Sequence, residues 1–221
     1  MAQDVRRQIF VNAGPIAHFA NGDLNAPLVG DDMHSDMQLH PAGMGFVVES
    51  GRFVQFASSD EITAEYSNSS MIDLHGKAVI PGFVDAHTHL LWSGDRSAEM
   101  RMRQQGMSYK DIAAAGGGIR HTVEETRECK NFDQIAEHRI RQSISLGTTS
   151  IEVKSGYGLD TETELRMLAS YSRMRTKFPG LGIHITWMGA HDIPNGFERK
   201  QYVESLLTEQ LPSVLKQGHA N

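Results

Sequence analysis

The chain has 221 residues, 39% of them hydrophobic and 22% charged, and its formal net charge at pH 7 is −6. This composition is typical of a soluble globular protein, and the acidic balance without a long basic run argues against nucleic acid or an anionic membrane as a partner. A single cysteine, Cys129, excludes an internal disulfide, and no stretch approaches the roughly 20 apolar residues of a membrane span or resembles a signal core. We therefore expect a cytoplasmic protein.

The first 76 residues contain short segments with strand character. The segments "RQIFVN" and "GFVVESGRFVQFAS" are rich in β-branched and aromatic residues, and "ESGR" at 49–52 predicts a hairpin turn. A second turn is predicted at His75–Gly76. The polar segment between about residues 21 and 44 predicts a long loop.

The segment "VIPGFVDAHTHLLWSGDR" at 79–96 contains two histidines one residue apart after an apolar run. Residues 79–86 predict a buried strand. Because strand positions two apart share a face, His87 and His89 are expected to project the same way, as the beginning of a metal site. The alternative is a chance pair on a buried strand, which would leave two unpaired imidazoles in a core at considerable cost.

From residue 79 onward, strands alternate with helices. The predicted elements are a short helix capped by Thr122 and Glu125, a helix over 132–144 ended by Gly147, the strand "TTSIEVK", a helix capped by Asp160, the strand "LGIHITWM" and a helix near Tyr202. Alternation of this kind implies a parallel sheet with right-handed crossovers. The glycines at 116–118 lack the spacing and the preceding strand of a dinucleotide-binding motif.

Candidate functional residues follow each predicted strand: His87 and His89, then the segment 155–157, then His191. Catalytic groups gather at the carboxyl ends of the strands in a (β/α)₈ barrel, and ligands bind at the same ends in a doubly wound sheet. A barrel needs about 250 residues. Residues 79–221 contain only about three strand–helix units, which favours the first part of a longer fold over a smaller α/β fold.

Four segments resemble the imidazolonepropionases, histidine-degradation enzymes of the amidohydrolase superfamily. They are "PGFVDAHTHLLWSGDR", "YKDIAAAGGGI", "TTSIEVKSGYGLDTETELRML" and "MGAHDIP". The resemblance covers nearly the whole chain and is weakest over about residues 15–45. It implies a (β/α)₈ metal-dependent hydrolase barrel, truncated here after about three units, over 77–221, preceded at 1–76 by the N-terminal part of a small β-sandwich-like domain.

The resemblance also implies an activity: hydrolysis of the cyclic amide 4-imidazolone-5-propanoate to N-formimino-L-glutamate with one Zn²⁺ or Fe²⁺ ion per subunit. The family's first two metal ligands correspond to His87 and His89, and its substrate contacts to Arg96, Tyr157 and His191. A third histidine ligand, a catalytic glutamate and a metal-binding aspartate would lie beyond residue 221. No catalytic residue is therefore assigned in this chain, which is expected to be inactive alone. The oligomeric state is left open, with a homodimer as the candidate.

Three of these assignments have structural alternatives. The planar fork of Arg96 suits a carboxylate, but an arginine in a loop could instead pair with Asp95 or Glu99. Tyr157 lies between two glycines that allow close approach to a ligand, yet it could be a surface aromatic. His191 could contact the imidazolone ring, serve as a third metal ligand or have only a structural role.

Lys154 ends the second predicted barrel strand. Some amidohydrolases bridge two metals with a carboxylated lysine, but that lysine belongs to the fourth strand, so Lys154 is predicted to pair with a carboxylate or support the loop. Two competing functions remain at this point. One is a different amidohydrolase, such as a deaminase or dihydropyrimidinase-like enzyme, and the other is a non-catalytic truncated fragment.

Overall fold

The computed structural model describes residues 7–19, 29–35, 37–115 and 117–220. The chain divides into two compact units, Met1–Pro81 and Gly82–Asn221. None of the described helices is long and apolar enough to cross a membrane.

The boundary between the units falls after Pro81, whereas the sequence placed it after residue 76. Backbone hydrogen bonds keep the intervening segment with the first unit. Gly14 donates its N–H to the Lys77 carbonyl at 2.8 Å, and Val79 donates to Pro15 at 3.0 Å. These bonds continue the pairing of the first unit for several residues beyond the predicted turn.

The first unit is built mainly of antiparallel strands. In chain order its elements are β1 (Arg7–Ala13), β2 (Ile16–Phe19), α1 (Asp32–Ser35), β3 (Met37–His40), β4 (Met44–Glu49), β5 (Arg52–Ser58), α2 (Ser59–Glu65) and β6 (Ile72–Asp73). Four strands form one sheet in the order β5-β4-β1-β6, and β2 pairs with β3 in a second. The buried residues Ile9, Val47 and Ile62 form part of its core.

Both turns predicted in this unit are confirmed. Ser50 and Gly51, in the hairpin between β4 and β5, have φ values of +49° and +77°, and His75 and Gly76 have +50° and +73°, left-handed values typical of tight two-residue turns. The predicted long loop over 21–44 lies partly outside the described residues. Of its described residues, 29–31 and 41–43 lack helix and strand as predicted, whereas Asp32–Ser35 forms α1 and Met37–His40 forms β3, which pairs with β2.

The second unit has a mixed α/β architecture, as predicted. Its parallel strands are β7 (Phe83–Thr88), β8 (Thr148–Lys154) and β9 (Gly182–Thr186), adjacent in that order. Its helices are α3 (Ser97–Gln104), α4 (Tyr109–Ala114), α5 (Ile119–Glu128), α6 (Phe132–Ser145), α7 (Thr161–Lys177), α8 (Arg199–Ser205) and α9 (Leu211–Gln217), with a π-helical segment, Leu206–Gln210, between the last two.

The core of this unit lies on one face of its sheet. Ile151 and Val153 of β8 and Ile185 of β9 are fully buried there with side chains of α6 and α7. Because strand side chains alternate between faces, the residues between them project the other way. Those residues are largely polar, namely Ser150, Glu152, Lys154, His184 and Thr186.

The prediction of a buried strand at 79–86 is wrong in both extent and burial. The strand begins at Phe83, which is 56% exposed, and the next residue, Val84, is 70% exposed. In the described part of the chain β7 pairs with β8 alone, so it is an edge strand. Its apolar side chains therefore have a neighbouring strand on one side only.

The two predicted helix caps differ in outcome. Asp160 caps α7 as predicted, and its carboxylate accepts the Thr163 N–H at 2.7 Å. The capping box at Thr122 is wrong, because α5 already begins at Ile119 after Gly118. Thr122 lies inside that helix, where its hydroxyl donates to the Gly118 carbonyl.

Candidate metal and substrate site

Four of the five predicted site residues lie together at the carboxyl ends of the parallel strands. The ring centroids of His89 and His191 are 4.6 Å apart, and their planes are 14° from parallel. The Tyr157 ring meets both edge-on, at 5.1 Å from His89 and 5.4 Å from His191. The His87 ring lies 5.4 Å from that of His89.

His89 provides a neutral imidazole at this site. Its Nδ1 atom is buried and has no hydrogen-bond partner in the described part of the chain. Burial, followed by the nearby His191 ring, lowers the pKa of His89 to about 4. At neutral pH the ring is uncharged and can offer a nitrogen lone pair to a metal ion.

The loop after β8 provides a hydrogen-bond partner for the His191 ring. Its Nδ1 atom lies 2.9 Å from the carbonyl oxygen of Gly156. A carbonyl can only accept, so Nδ1 carries a proton in this contact. The loop after β8 therefore fixes the orientation of the His191 ring.

The loop after β8 must contain glycine for a steric reason. Gly156 has a φ of +103°, and a Cβ added there would lie 2.7 Å from the Met188 carbonyl oxygen and 2.9 Å from Cβ of His191. The sequence predicts glycine at this position so that a ligand can approach closely. In the structure, Gly156 allows the approach of the loop that carries His191.

Sequence reasoning missed the residue that organises this loop, Glu164. Its fully buried carboxylate accepts the backbone N–H groups of Gly156, Gly158 and Leu159 at 2.8–3.1 Å. A signal was present, because Glu164 has helical spacing with the apolar residues Leu168 and Tyr171. An acidic residue at such a position indicates a specific buried partner.

Arg96 contacts Glu99, which was its predicted alternative partner. Nε and Nη2 of Arg96 each donate to a Glu99 carboxylate oxygen at 2.7 Å, and Glu99 also accepts the Gly118 N–H at 2.7 Å. The other proposed partner, Asp95, instead accepts from Ser97. Arg96 is therefore paired with Glu99 and is not one of the four clustered rings.

Lys154 pairs with a carboxylate, as predicted. Its Nζ atom lies 2.5 Å from Oε1 of Glu152, which projects from the same face of β8. The same oxygen accepts the Thr186 hydroxyl at 2.6 Å. Lys154 therefore has a structural partner on its own strand, and that partner is in turn bonded to Thr186 of β9.

The histidines fit part of a metal site. Two imidazoles converge, and His89 has an unpartnered buried nitrogen, a donor type that suits zinc and iron. Catalytic zinc usually takes three protein ligands. Within the described residues, no group of three or more histidine, cysteine, aspartate or glutamate side chains is arranged to hold a metal ion.

Known proteins resemble this chain over much of its length. Residues 70–172 match the model of the amidohydrolase family. The chain is 43% identical to the imidazolonepropionase of Haloarcula marismortui over 176 residues, which is 77% of this chain and 41% of that protein. It is 39% identical to the imidazolonepropionase of Symbiobacterium thermophilum over 213 residues, 93% of this chain and 48% of that protein. The predicted resemblance to imidazolonepropionases is confirmed.

These relatives are longer than this chain, which spans less than half the length of each. Among solved structures, guanine deaminase from Bradyrhizobium japonicum aligns over 81% of this chain and 50% of that chain, with 12% identity. Its TM-score of 0.39 is too low to support an argument about the fold.

The Arg96–Glu99 pair predicts a pH-dependent contribution to stability. The hydrogen bond from Arg96 is the largest cause that lowers the pKa of Glu99 from 4.5 to about 2. A carboxylate with a lowered pKa stabilises the fold above its unfolded-state pKa, and this contribution is lost as the pH falls through the folded value. We expect Glu99→Gln to reduce the free energy of unfolding above pH 4.5, with the difference from wild type shrinking toward pH 2.

Urea unfolding of both chains across this pH range measures the effect. Glu162→Gln is the matched control, since it makes the same chemical change at an exposed position. A difference between wild type and Glu99→Gln that does not change with pH would contradict the prediction.

Proposed function

We propose that this chain supplies part of the active site of an imidazolonepropionase, which hydrolyses the ring amide of 4-imidazolone-5-propanoate to N-formimino-L-glutamate. The observation that supports this most is the convergence of His87, His89, Tyr157 and His191 at the strand ends of a chain that resembles these enzymes. A cytoplasmic location and a homodimer stay predictions.

For the fold, we propose that the second unit forms the first three strand–helix units of a (β/α)₈ hydrolase barrel. The parallel order β7-β8-β9, with strands adjacent in space in their sequence order, supports this architecture. The polar face of β8 and β9 would then line the barrel interior. The first unit would be the N-terminal part of a small β-domain.

His87 and His89 are the proposed metal-binding residues. The low pKa of His89 keeps its ring neutral, so no proton competes with the ion at neutral pH. A bound Zn²⁺ or Fe²⁺ would supply a nucleophile at neutral pH and polarise the substrate carbonyl as a Lewis acid.

Tyr157 and His191 are proposed to bind the imidazolone ring. His191 offers Nε2 as an acceptor for a ring N–H, because its Nδ1 proton is already committed to Gly156. Tyr157 packs against both His89 and His191. We propose that its hydroxyl donates a hydrogen bond to a substrate oxygen.

Arg96 is proposed to bind the propionate tail of the substrate. Glu99 uses the Nε side of the guanidinium, which leaves the edge formed by Nη1 and Nη2 for a second carboxylate. The ion pair with Glu99 would then hold the Arg96 guanidinium in a fixed orientation. It would also compensate part of the positive charge of Arg96. This arrangement reconciles the observed partner with the proposed substrate contact.

The activity is testable in a chimera that continues this chain with the remaining part of the Symbiobacterium thermophilum imidazolonepropionase. Supplied with Zn²⁺ or Fe²⁺, the chimera is expected to consume the substrate, measured as loss of its ultraviolet absorbance. The 221-residue chain alone is expected to be slower by at least about 10²–10⁴-fold, the usual contribution of a general acid–base group. Absence of turnover by a folded, metal-loaded chimera would overturn the proposed function, and equal turnover by the short chain would show that no further residues are needed.

The metal assignment is testable by substitution in the same chimera. His87→Ala and His89→Ala should each lower metal affinity by more than about 10-fold, since even residues that only support a ligand are worth about 10–100-fold. Elemental analysis after dialysis against a chelator measures the loss. His138→Ala, at an exposed histidine on helix α6, is the control. Full metal retention in either variant would contradict the assignment of that histidine as a metal ligand.

Arg96→Lys should impair substrate use without changing metal content. Lysine cannot contact Glu99 and a substrate carboxylate with separate edges, and a hydrogen bond to a charged group is worth about 1.5–3 kcal/mol, or roughly 10–150-fold in kcat/KM. Steady-state kinetics of the chimera measures the change. Arg103→Lys, from the same cleft, should behave as wild type. Wild-type kinetics for Arg96→Lys would show that Arg96 has only a structural role.

A further inference from the structure

Glu164 is a fully buried carboxylate that faces the loop between β8 and α7. Its Oε1 atom accepts the N–H of Gly158 at 2.8 Å and that of Leu159 at 3.1 Å, and both of its oxygens lie 3.1 Å from the N–H of Gly156. The Ser155 side chain also interacts with the carboxylate and acts to lower its pKa. One side chain therefore contacts four of the five residues from 155 to 159, and the fifth is Tyr157.

A first route connects Glu164 to His191 through Gly156. The N–H of Gly156 is bonded to the carboxylate, while its carbonyl oxygen accepts the proton on Nδ1 of His191. The orientation of this one residue therefore fixes which nitrogen of the His191 ring carries the proton.

A second route passes through Ser155. Its hydroxyl oxygen accepts the N–H of Met188 at 2.9 Å, and the Met188 carbonyl accepts the backbone N–H of His191 at 3.0 Å. Glu164 thus contacts the loop after β8 directly and the loop after β9 through Ser155.

Burial and hydrogen bonding act in opposite directions on the ionisation of this carboxylate. Burial is the larger effect and raises the pKa of Glu164, whereas the hydrogen bonds from Ser155 and the three backbone N–H groups offset that rise in part. Oε1 accepts from all three N–H donors, whereas Oε2 faces only that of Gly156, so an amide N–H₂ at the Oε2 position would oppose the Gly156 donor. Leu159 supports a tightly constrained loop, because it is a non-glycine residue with a φ of +54°.

We propose that Glu164 is the positioning residue of this site, holding the 155–159 loop so that the Gly156 carbonyl, bonded to Nδ1 of His191, orients that ring beside Tyr157 toward a ligand with a ring N–H. The proposal deepens the function proposed above and rests on it for the identity of the ligand. Nuclear magnetic resonance of the 221-residue chain tests it without any measurement of turnover.

The principal variant is Glu164→Gln, with Glu162→Gln as the control from the same turn of α7. In wild type, the ¹⁵N shifts of His191, assigned with a His191→Gln variant, should show a single tautomer with the proton on Nδ1. In Glu164→Gln the ring should become a mixture of tautomers. Amide exchange at Gly156, Gly158 and Leu159 should accelerate by about 10-fold or more, the value of one hydrogen bond to a charged group.

A second variant, Ser155→Ala, keeps the proposal testable if Glu164→Gln does not fold. It should accelerate amide exchange at Met188 and leave Gly158 protected. An unchanged His191 tautomer and unchanged loop exchange in folded Glu164→Gln would overturn the proposal, as would equal effects in Glu162→Gln or an unchanged Met188 in Ser155→Ala. Failure of the chimera to hydrolyse the substrate would contradict the proposed function and would leave these readouts unaffected.

Discussion

The hydroxyl group of Tyr171 holds the ends of two strands in a fixed relation. It donates to the Lys154 carbonyl at 3.0 Å and accepts the Leu91 N–H at 3.0 Å, inside a fully buried core. His89 lies two residues before Leu91, and Ser155 directly follows Lys154. A single phenol therefore sets the spacing between the histidine pair and the loop that carries Tyr157. Phenylalanine at this position would leave a buried N–H and a buried carbonyl without this partner.

Two carboxylates in the first turns of helices organise the loops of the site by the same means. Glu99 of α3 accepts the Gly118 N–H and both donors of Arg96, and Glu164 of α7 accepts the N–H groups of its own preceding loop. A carboxylate near a helix N-terminus is favoured by the helix dipole, and it satisfies loop donors that have no partner in a sheet or helix. This explains how loops rich in glycine can keep one conformation. The backbone freedom of glycine is removed by a buried acceptor.

Much of the second unit follows from local pattern. Strands β8 and β9, the end of α6 near Gly147 and the Asp160 cap were all predictable, because each depends on residues close in sequence. The exposure of β7 was not predictable, since it depends on how many strands lie beside it. The start of α5 was misplaced because Thr122 and Glu125 satisfy the capping pattern without occupying the helix end. Pattern alone does not distinguish a cap from a first-turn residue.

The sequence by itself determined the candidate residues, the alternation of strand and helix, and the resemblance to imidazolonepropionases, because residue type and spacing carry that information. Only the tertiary structure decided their partners. It paired Arg96 with Glu99, set the tautomer of His191 through Gly156 and made Glu164 the common acceptor of a loop. Such contacts join atoms whose distance depends on a φ angle or on the approach of two loops. Neither quantity is encoded in the spacing of residues along the chain.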